Sequence, residues 1–264
     1  MLQPIQLSRQ ILRYEKGYIH QSEDTVVTEY PITIMLNNQE FATMVCTPEH
    51  MEDLVIGFLA SEGIISSYED IKQIRIIETT GKAYVDTFKV NKFNQMFHSK
   101  RYVTSCCGKS RQSFYFYSDA KTANTFTSAK VKISFQDCFR LMELMQKSAT
   151  TFQNTGGVHN TALCDRNGIV ISRMDIGRHN ALDKIYGYCL KHTIPMNDKI
   201  IVFSGRISSE VLLKVSKIGC EIVLSKSAPT VLALQLAEEL GITTVGFIRN
   251  HSLNVYTHTE RIHS

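Results

Sequence analysis

The chain has 264 residues, is 43% hydrophobic and carries a formal net charge of +4. That length can bury one large core or two small ones. The mild positive balance falls short of a dedicated nucleic-acid binder and suits an anionic small ligand or an acidic protein surface. Residues 1–10 hold no long apolar stretch, and nowhere is there the run of about 18 apolar residues that crosses a bilayer. Seven scattered cysteines, an odd number, make poor material for a secreted disulfide framework, so a reducing cytoplasm is the expected home.

Taken in chain order, residues 26–47 alternate through Ile32, Ile34 and Leu36, turn at Asn37-Asn38 and return through Phe41 to Val45, which predicts a hairpin. Thr47 as cap and Pro48 as first helical residue predict a helix, with Met51, Leu54, Val55, Phe58 and Leu59 as one apolar stripe and Gly63 as its end. Residues 71–77 and 83–90 pair across Thr80-Gly81-Lys82. Residues 91–127 are polar and rich in Ser, Lys and Arg, and read as a long connection between two domains. Ser134 and Asp137 form a capping-box signature for the next helix, continued by Leu141, Leu144 and Met145.

Two strands, 158–164 and 169–175, are then joined by Asp165-Arg166-Asn167-Gly168. Beyond them helices at about 179–191, 208–218 and 229–240 alternate with strands at 199–204, 221–225 and 242–247. The strands Ile200-Ile201-Val202-Phe203 and Ile222-Val223-Leu224 are apolar on both faces, as in a sheet covered by helices on each side. The alternation predicts a largely parallel sheet.

Polar motifs fall where strands end. Asp175-Ile176-Gly177-Arg178-His179-Asn180, Ser204-Gly205-Arg206-Ile207-Ser208 and Ser225-Lys226-Ser227-Ala228-Pro229-Thr230 each follow a strand and open a helix, and Phe247-Ile248-Arg249-Asn250 leaves the last strand. In an open α/β sheet these segments share one edge, the usual ligand site, where helix N-termini and Arg178, Arg206, Lys226 and Arg249 would hold an anion. Taken singly, such Ser, Gly and Thr residues are ordinary caps. Gly156-Gly157 before His159 allows a backbone to approach a ligand or forms a plain turn. His159 and His179 are candidate general bases and equally ordinary hydrogen-bonding residues.

The cysteines divide in two. Cys46, Cys138, Cys164, Cys189 and Cys220 fall in or beside regular elements and read as small buried hydrophobes. Cys106 and Cys107 lie in the polar connection, with Lys100, Arg101, Lys109 and Arg111 nearby to favour a thiolate and Gly108 to give the backbone freedom. No C-x-x-C, H-E-x-x-H, zinc-deaminase signature, Walker A or G-x-S-x-G sequence occurs, which disfavours metal hydrolysis and NTPase chemistry, and no metal is expected.

Thr155-Gly156-Gly157-Val158-His159, the run from Asp175-Ile176-Gly177-Arg178-His179-Asn180 through Ala181-Leu182-Asp183-Lys184, Ser204-Gly205-Arg206-Ile207-Ser208, Ser225-Lys226-Ser227-Ala228-Pro229-Thr230 and Val255-Tyr256-Thr257-His258 together resemble the FdhD-type formate dehydrogenase accessory sulfurtransferases, as does the loop from Thr104 to Gly108. The resemblance spans residues 25–262. It implies a cytidine-deaminase-like three-layer α/β domain at 127–264, without the zinc site, and a smaller α+β N-terminal domain at 1–126 ending in the cysteine-bearing loop. It implies a cytoplasmic homodimer that takes sulfur from a cysteine desulfurase as a cysteine persulfide. The sulfur goes to the molybdenum cofactor, bis-molybdopterin guanine dinucleotide, which serves formate dehydrogenase; a guanine nucleotide would mimic that substrate. Neither nucleic acid nor a membrane span enters this reading.

Residue by residue, the family loop Ser-x-Cys-Gly-x-Cys-Gly matches Ser105, Cys107 and Gly108, while Ser110 and Arg111 stand where the second cysteine and glycine would be. Cys107 is therefore the expected persulfide bearer, with Cys106 as an auxiliary. The family's cofactor-binding segment falls on Phe247, Ile248, Arg249, Asn250, His251 and Ser252, beside the edge residues Ser204, Gly205, Arg206, Ser225, Lys226, Ser227, Arg178 and His179. The alternative is a cofactor-binding chaperone that moves no sulfur, which the departure at Ser110 keeps open.

Overall fold

A computed structural model of the chain describes residues 3–88, 123–127 and 129–264, together with the backbone of residues 101–103. The first elements, β1 (Gln6–Glu15) and β2 (Tyr18–Val27), form a two-stranded antiparallel ribbon that the hydrophobic pattern did not announce.

The predicted hairpin is present as β3 (Tyr30–Leu36) and β4 (Gln39–Cys46), with Asn37 and Asn38 at φ of 48° and 66° in its turn. These strands join β5 (Ile71–Ile77), β6 (Lys82–Thr87) and β7 (Arg101–Val103) in a five-stranded sheet of order β5-β6-β3-β4-β7. β7 runs parallel to β4, inside the stretch expected to be only a connection.

Helix α1 (Met51–Ser61) begins three residues after Pro48, at a His50 cap with φ of 53°. Thr47 is engaged elsewhere, so the expected cap and first turn are corrected. The helix also buries far more than one stripe. Val55, Ile56, Gly57 and Ala60 are enclosed as well, because α1 lies between the five-stranded sheet and helix α4 (Arg178–Lys191). Where the two helices cross, a Cβ on Gly57 would stand 1.8 Å from the Asp183 carbonyl oxygen, and one on Gly187 would stand 1.9 Å from that of Asp53. Only hydrogen side chains permit that approach.

The second large sheet has six strands in the order β10-β9-β11-β12-β13-β14: β9 (His159–Asp165), β10 (Gly168–Asp175), β11 (Ile200–Phe203), β12 (Ile222–Ser225), β13 (Thr243–Arg249) and β14 (Ser252–Thr257). Only β11, β12 and β13 are parallel neighbours; β9 pairs antiparallel with both β10 and β11, and β14 with β13. The sheet is mixed, which corrects the largely parallel expectation. The short Asp165–Gly168 connection can make only an antiparallel hairpin.

Helices cover both faces of this sheet. On one, α4, α5 (Ser209–Ile218) and α6 (Val231–Leu240) pack with Leu163, Ile201, Phe203 and Val223. On the other, α2 (Phe135–Ser148) packs with Ala162, Cys164, Ile200, Val202 and Leu224. α2 opens on the expected capping box between Ser134 and Asp137. The short α3 (Thr150–Thr155) packs against β2, and β8 (Ile133–Ser134) pairs with β15 (Ile262–His263) near the end of the chain.

Candidate functional site

The strand-end motifs do converge. β10 is antiparallel to β9, and β9 to β11, so β10, β11, β12 and β13 all present their C-terminal ends on one edge. Hydrogen bonds stitch neighbouring segments along that edge. Asn160 N donates to Ser204 Oγ (2.9 Å), and Ser204 N to the Asn160 carbonyl (3.0 Å). Ser225 Oγ donates to the Gly205 carbonyl (2.7 Å), Ser227 Oγ to that of Ser204 (3.2 Å), and Phe247 N to that of Ser227 (3.3 Å).

The three serine hydroxyls are thus spent on holding the turns together. What the edge offers outward is charge: Arg206, Lys226 and Arg249 are exposed and Arg178 half-exposed, beside the first turns of α4, α5 and α6. The Arg249 guanidinium lies 5.3 Å from the centre of the Phe247 ring. Phe247, Asn250 and His251 all have positive φ, at 55°, 49° and 57°. A bulky aromatic residue held there stores backbone strain of about 1–3 kcal/mol, a feature that clusters at ligand clamps. Ser252 is exposed at the start of β14, whereas the Ile248 side chain is 1% exposed and belongs to the core beside α2.

The two histidines part company. His179 Nε2 lies 3.2 Å from Glu210 on α5, so its ring ties two helices together. His159 opens β9 directly opposite Asp175, and its Nδ1 lies 3.4 Å from where a Gly205 side chain would begin. Burial, and then the Arg178 guanidinium, push the His159 pKa below the ordinary histidine value. The ring is therefore held neutral at pH 7.

Much of the long motif after β10 is structural. Asp175, fully buried, accepts from Thr47 N (3.0 Å), Thr47 Oγ1 (3.1 Å), Gly177 N (2.8 Å) and Asn180 Nδ2 (2.9 Å) and pairs with the equally buried Lys184 at 2.7 Å. Asp183 accepts from Ser61 Oγ at 2.6 Å and pairs with Lys214. Arg173 pairs with Asp53 at 2.8 Å and stacks over Tyr188. These groups bind the five-stranded sheet and α1 to the edge of the six-stranded sheet; sequence reasoning placed Asp175 and Asn180 in a ligand-edge motif and did not foresee this bracing. The signal was there: Asn180 and Lys184 lie one turn apart on a helix, on a face that must be buried.

Cys46, Cys138, Cys164, Cys189 and Cys220 are buried. Burial pushes the thiols of Cys46, Cys138, Cys164 and Cys189 up to about 12 and that of Cys220 well above its ordinary value, so none is a thiolate at neutral pH. Cys106 and Cys107 lie outside the described residues. Among the described residues no group of three His, Cys, Asp or Glu side chains could hold a metal ion, and no helix is long and apolar enough to cross a membrane.

Known proteins share this sequence and this fold. A protein described as sulfur carrier protein FdhD from Listeria innocua is 57% identical over 257 residues, 97% of this chain and 98% of its own. One of the same description from Bacillus subtilis is 58% identical over 254 residues, 96% of each chain. A crystal structure from Desulfotalea psychrophila, described as a formate dehydrogenase accessory protein, matches with a TM-score of 0.80 at 25% identity and covers 98% of this chain and 100% of its own. The model of the FdhD/NarQ family matches residues 27–263, and the chain belongs to that family.

Proposed function

We propose that this chain is a sulfur carrier for the molybdenum cofactor of formate dehydrogenase, with Cys107 as the residue that bears the sulfur. The observation that carries the reading is the convergence of Arg178, Arg206, Lys226 and Arg249 with three helix N-termini on one sheet edge. That is a cradle suited to the pyrophosphates of a dinucleotide-type substrate. The relatives' printed names support the sulfur chemistry.

In the proposed cycle the Cys107 thiolate attacks the outer sulfur of a cysteine desulfurase persulfide. A new S–S bond forms, the donor's S–S bond breaks, and the donor cysteine leaves as a thiolate. The outer sulfur then passes to the molybdenum cofactor, bis-molybdopterin guanine dinucleotide: the Cys107 S–S bond breaks, Cys107 leaves as a thiolate, and a thiol reductant supplies the two electrons that take the sulfur to the sulfide level. The cofactor is held as substrate at the edge by Arg178, Arg206 and Lys226, on turns that Ser204, Gly205, Ser225, Ser227 and His179 keep in shape. The segment Phe247, Ile248, Arg249, Asn250, His251 and Ser252 borders it, anchored in the core by Ile248 and with Phe247 as an aromatic surface for a guanine-type ring, and a guanine nucleotide alone would occupy part of the site. Cys106 acts as an auxiliary thiol.

The register of β7 favours delivery to this edge. It runs parallel to β4, whose following residue Thr47 is bonded to Asp175. Cys107 stands four residues after Val103, within about 14 Å of chain. The division into 1–126 and 127–264, the cytidine-deaminase-like character of the larger part, the homodimer and the cytoplasmic location belong to the same proposal.

The test is intact-protein mass spectrometry after incubation with a cysteine desulfurase and cysteine. The wild type should gain one reducible sulfur atom, Cys107→Ala none, and Cys106→Ala most of it. A wild type that gains nothing replaces the carrier with a chaperone that only holds the cofactor.

A further inference from the structure

Among the described residues, the β1–β2 ribbon stands apart as a two-stranded sheet exposed on both faces. Its base is tied to the body: Thr28 N donates to the Ile5 carbonyl (2.8 Å), β2 packs on α3, and Val27 packs so closely on Gly157 that a Cβ there would sit 2.7 Å away. Beyond that base both faces are open to solvent for most of ten ladder pairs. Two antiparallel strands alone are marginal in water. Yet the outer half presents Leu12 (72% exposed), Tyr14 (73%) and Ile19 (68%) on one face, with Tyr14 directly opposite Ile19. Phe152, 46% exposed, stands on the helix that supports the ribbon's base and offers a matching apolar surface on the body.

Charge selects the occupant. Residues 6–27 carry Arg9, Arg13 and Lys16 against Glu15, Glu23 and Asp24, a net charge of zero in a chain of +4. A nucleic acid or an anionic membrane would be met by a basic arm. A second copy of this chain is also positive, and two such copies approach with least repulsion where the surface is neutral. A ribbon of ten pairs is about 33 Å long. One face laid on a partner, and the same contact repeated by symmetry, would bury about 1,300 Å² in total, within the range of stable interfaces. A single tip-to-tip contact would bury about half of that and fall short.

We infer that the β1–β2 ribbon is a dimerisation arm, exchanged reciprocally between two copies of this chain about a two-fold axis, with Leu12, Tyr14 and Ile19 buried against the partner. Such an interface is isologous: each copy gives an arm and receives one. The inference deepens the homodimer reading above by placing its interface.

Light scattering coupled to size exclusion tests it on the full chain, comparing the wild type with Leu12→Glu/Ile19→Glu. Both positions are exposed in the isolated chain, so the variant should keep the wild-type circular dichroism and a cooperative melt, while losing the concentration dependence of melting temperature that a dimer shows. The wild type should elute at twice the 30.0 kDa chain mass. The variant should elute at the chain mass, with its dimer dissociation constant raised at least about 100-fold. A monomeric wild type overturns the homodimer reading and this inference together. A variant that stays dimeric overturns the arm alone and places the interface elsewhere.

Discussion

At the scale of single residues, the molecule separates polar groups that hold it together from those left to act. Asp175 has a partner for every acceptor direction it can use, and the Asp175–Lys184 pair is entirely buried. His159, directly opposite Asp175 in the ladder, is kept neutral by burial and by Arg178. The sign of its pH effect follows. The unfolded chain binds a proton at His159 below about pH 6.5, while the folded chain resists it. Stability is therefore unaffected above that value and declines as pH falls through the window below it. The urea midpoint should drop between pH 7 and pH 5, and His159→Gln should flatten part of that drop. A variant with an unchanged slope would mean that the ring is protonated in the folded chain as readily as in the unfolded one.

At the scale of elements, the crossing of α1 and α4 decides how the two sheets sit together. Gly57 and Gly187 face one another's helix backbone, and neither helix can retreat. α1 is pressed from behind by the five-stranded sheet, and α4 is fixed by Asp175, Asp183 and Arg173. Gly57→Ala should cost about 1–3 kcal/mol or more by overpacking, although alanine favours helices by about 1 kcal/mol over glycine. A chemical denaturation curve as stable as wild type would show that the helices can part.

The same elements show how far sequence reasoning reached. Local signals held wherever local physics decides: the Asn37-Asn38 turn, the Ser134–Asp137 box, and strands apolar on both faces. It failed where a distant partner decides. Thr47 looks like a helix cap but is captured by Asp175, 128 residues on. β1 and β2 lack an apolar alternation because the body covers neither face. The antiparallel β9–β11 pairing depends on a strand order that no local pattern encodes. The convergence of the strand-end motifs on one edge was legible because it needs only strand polarity. That its serines are consumed in bracing the turns was not, since hydroxyl partners are a matter of three-dimensional register.

At the scale of the whole molecule, the net charge of +4 is unevenly spent. The ribbon is neutral, the contact between the two sheets uses its cations in buried pairs with Asp53, Asp175 and Asp183, and four cations remain along one sheet edge. An edge of that kind should bind by charge as well as by shape. Arg206 is exposed beside Gly205, and Arg249 lies over Phe247; truncating either removes a charge-assisted contact of about 1.5–3 kcal/mol. Arg206→Ala and Arg249→Ala should each weaken binding of guanosine diphosphate by about tenfold or more in isothermal titration calorimetry, with the fold intact. The wild-type affinity should fall between low salt and 0.15 M salt, where screening shortens the reach of the exposed cations to about 8 Å. Guanosine without phosphates should bind weakly, and either substitution should barely change it. Equal losses for guanosine and its diphosphate would place the arginines on the base rather than on the phosphates. Unchanged affinity in both variants would remove the anion cradle on which the proposed substrate site depends.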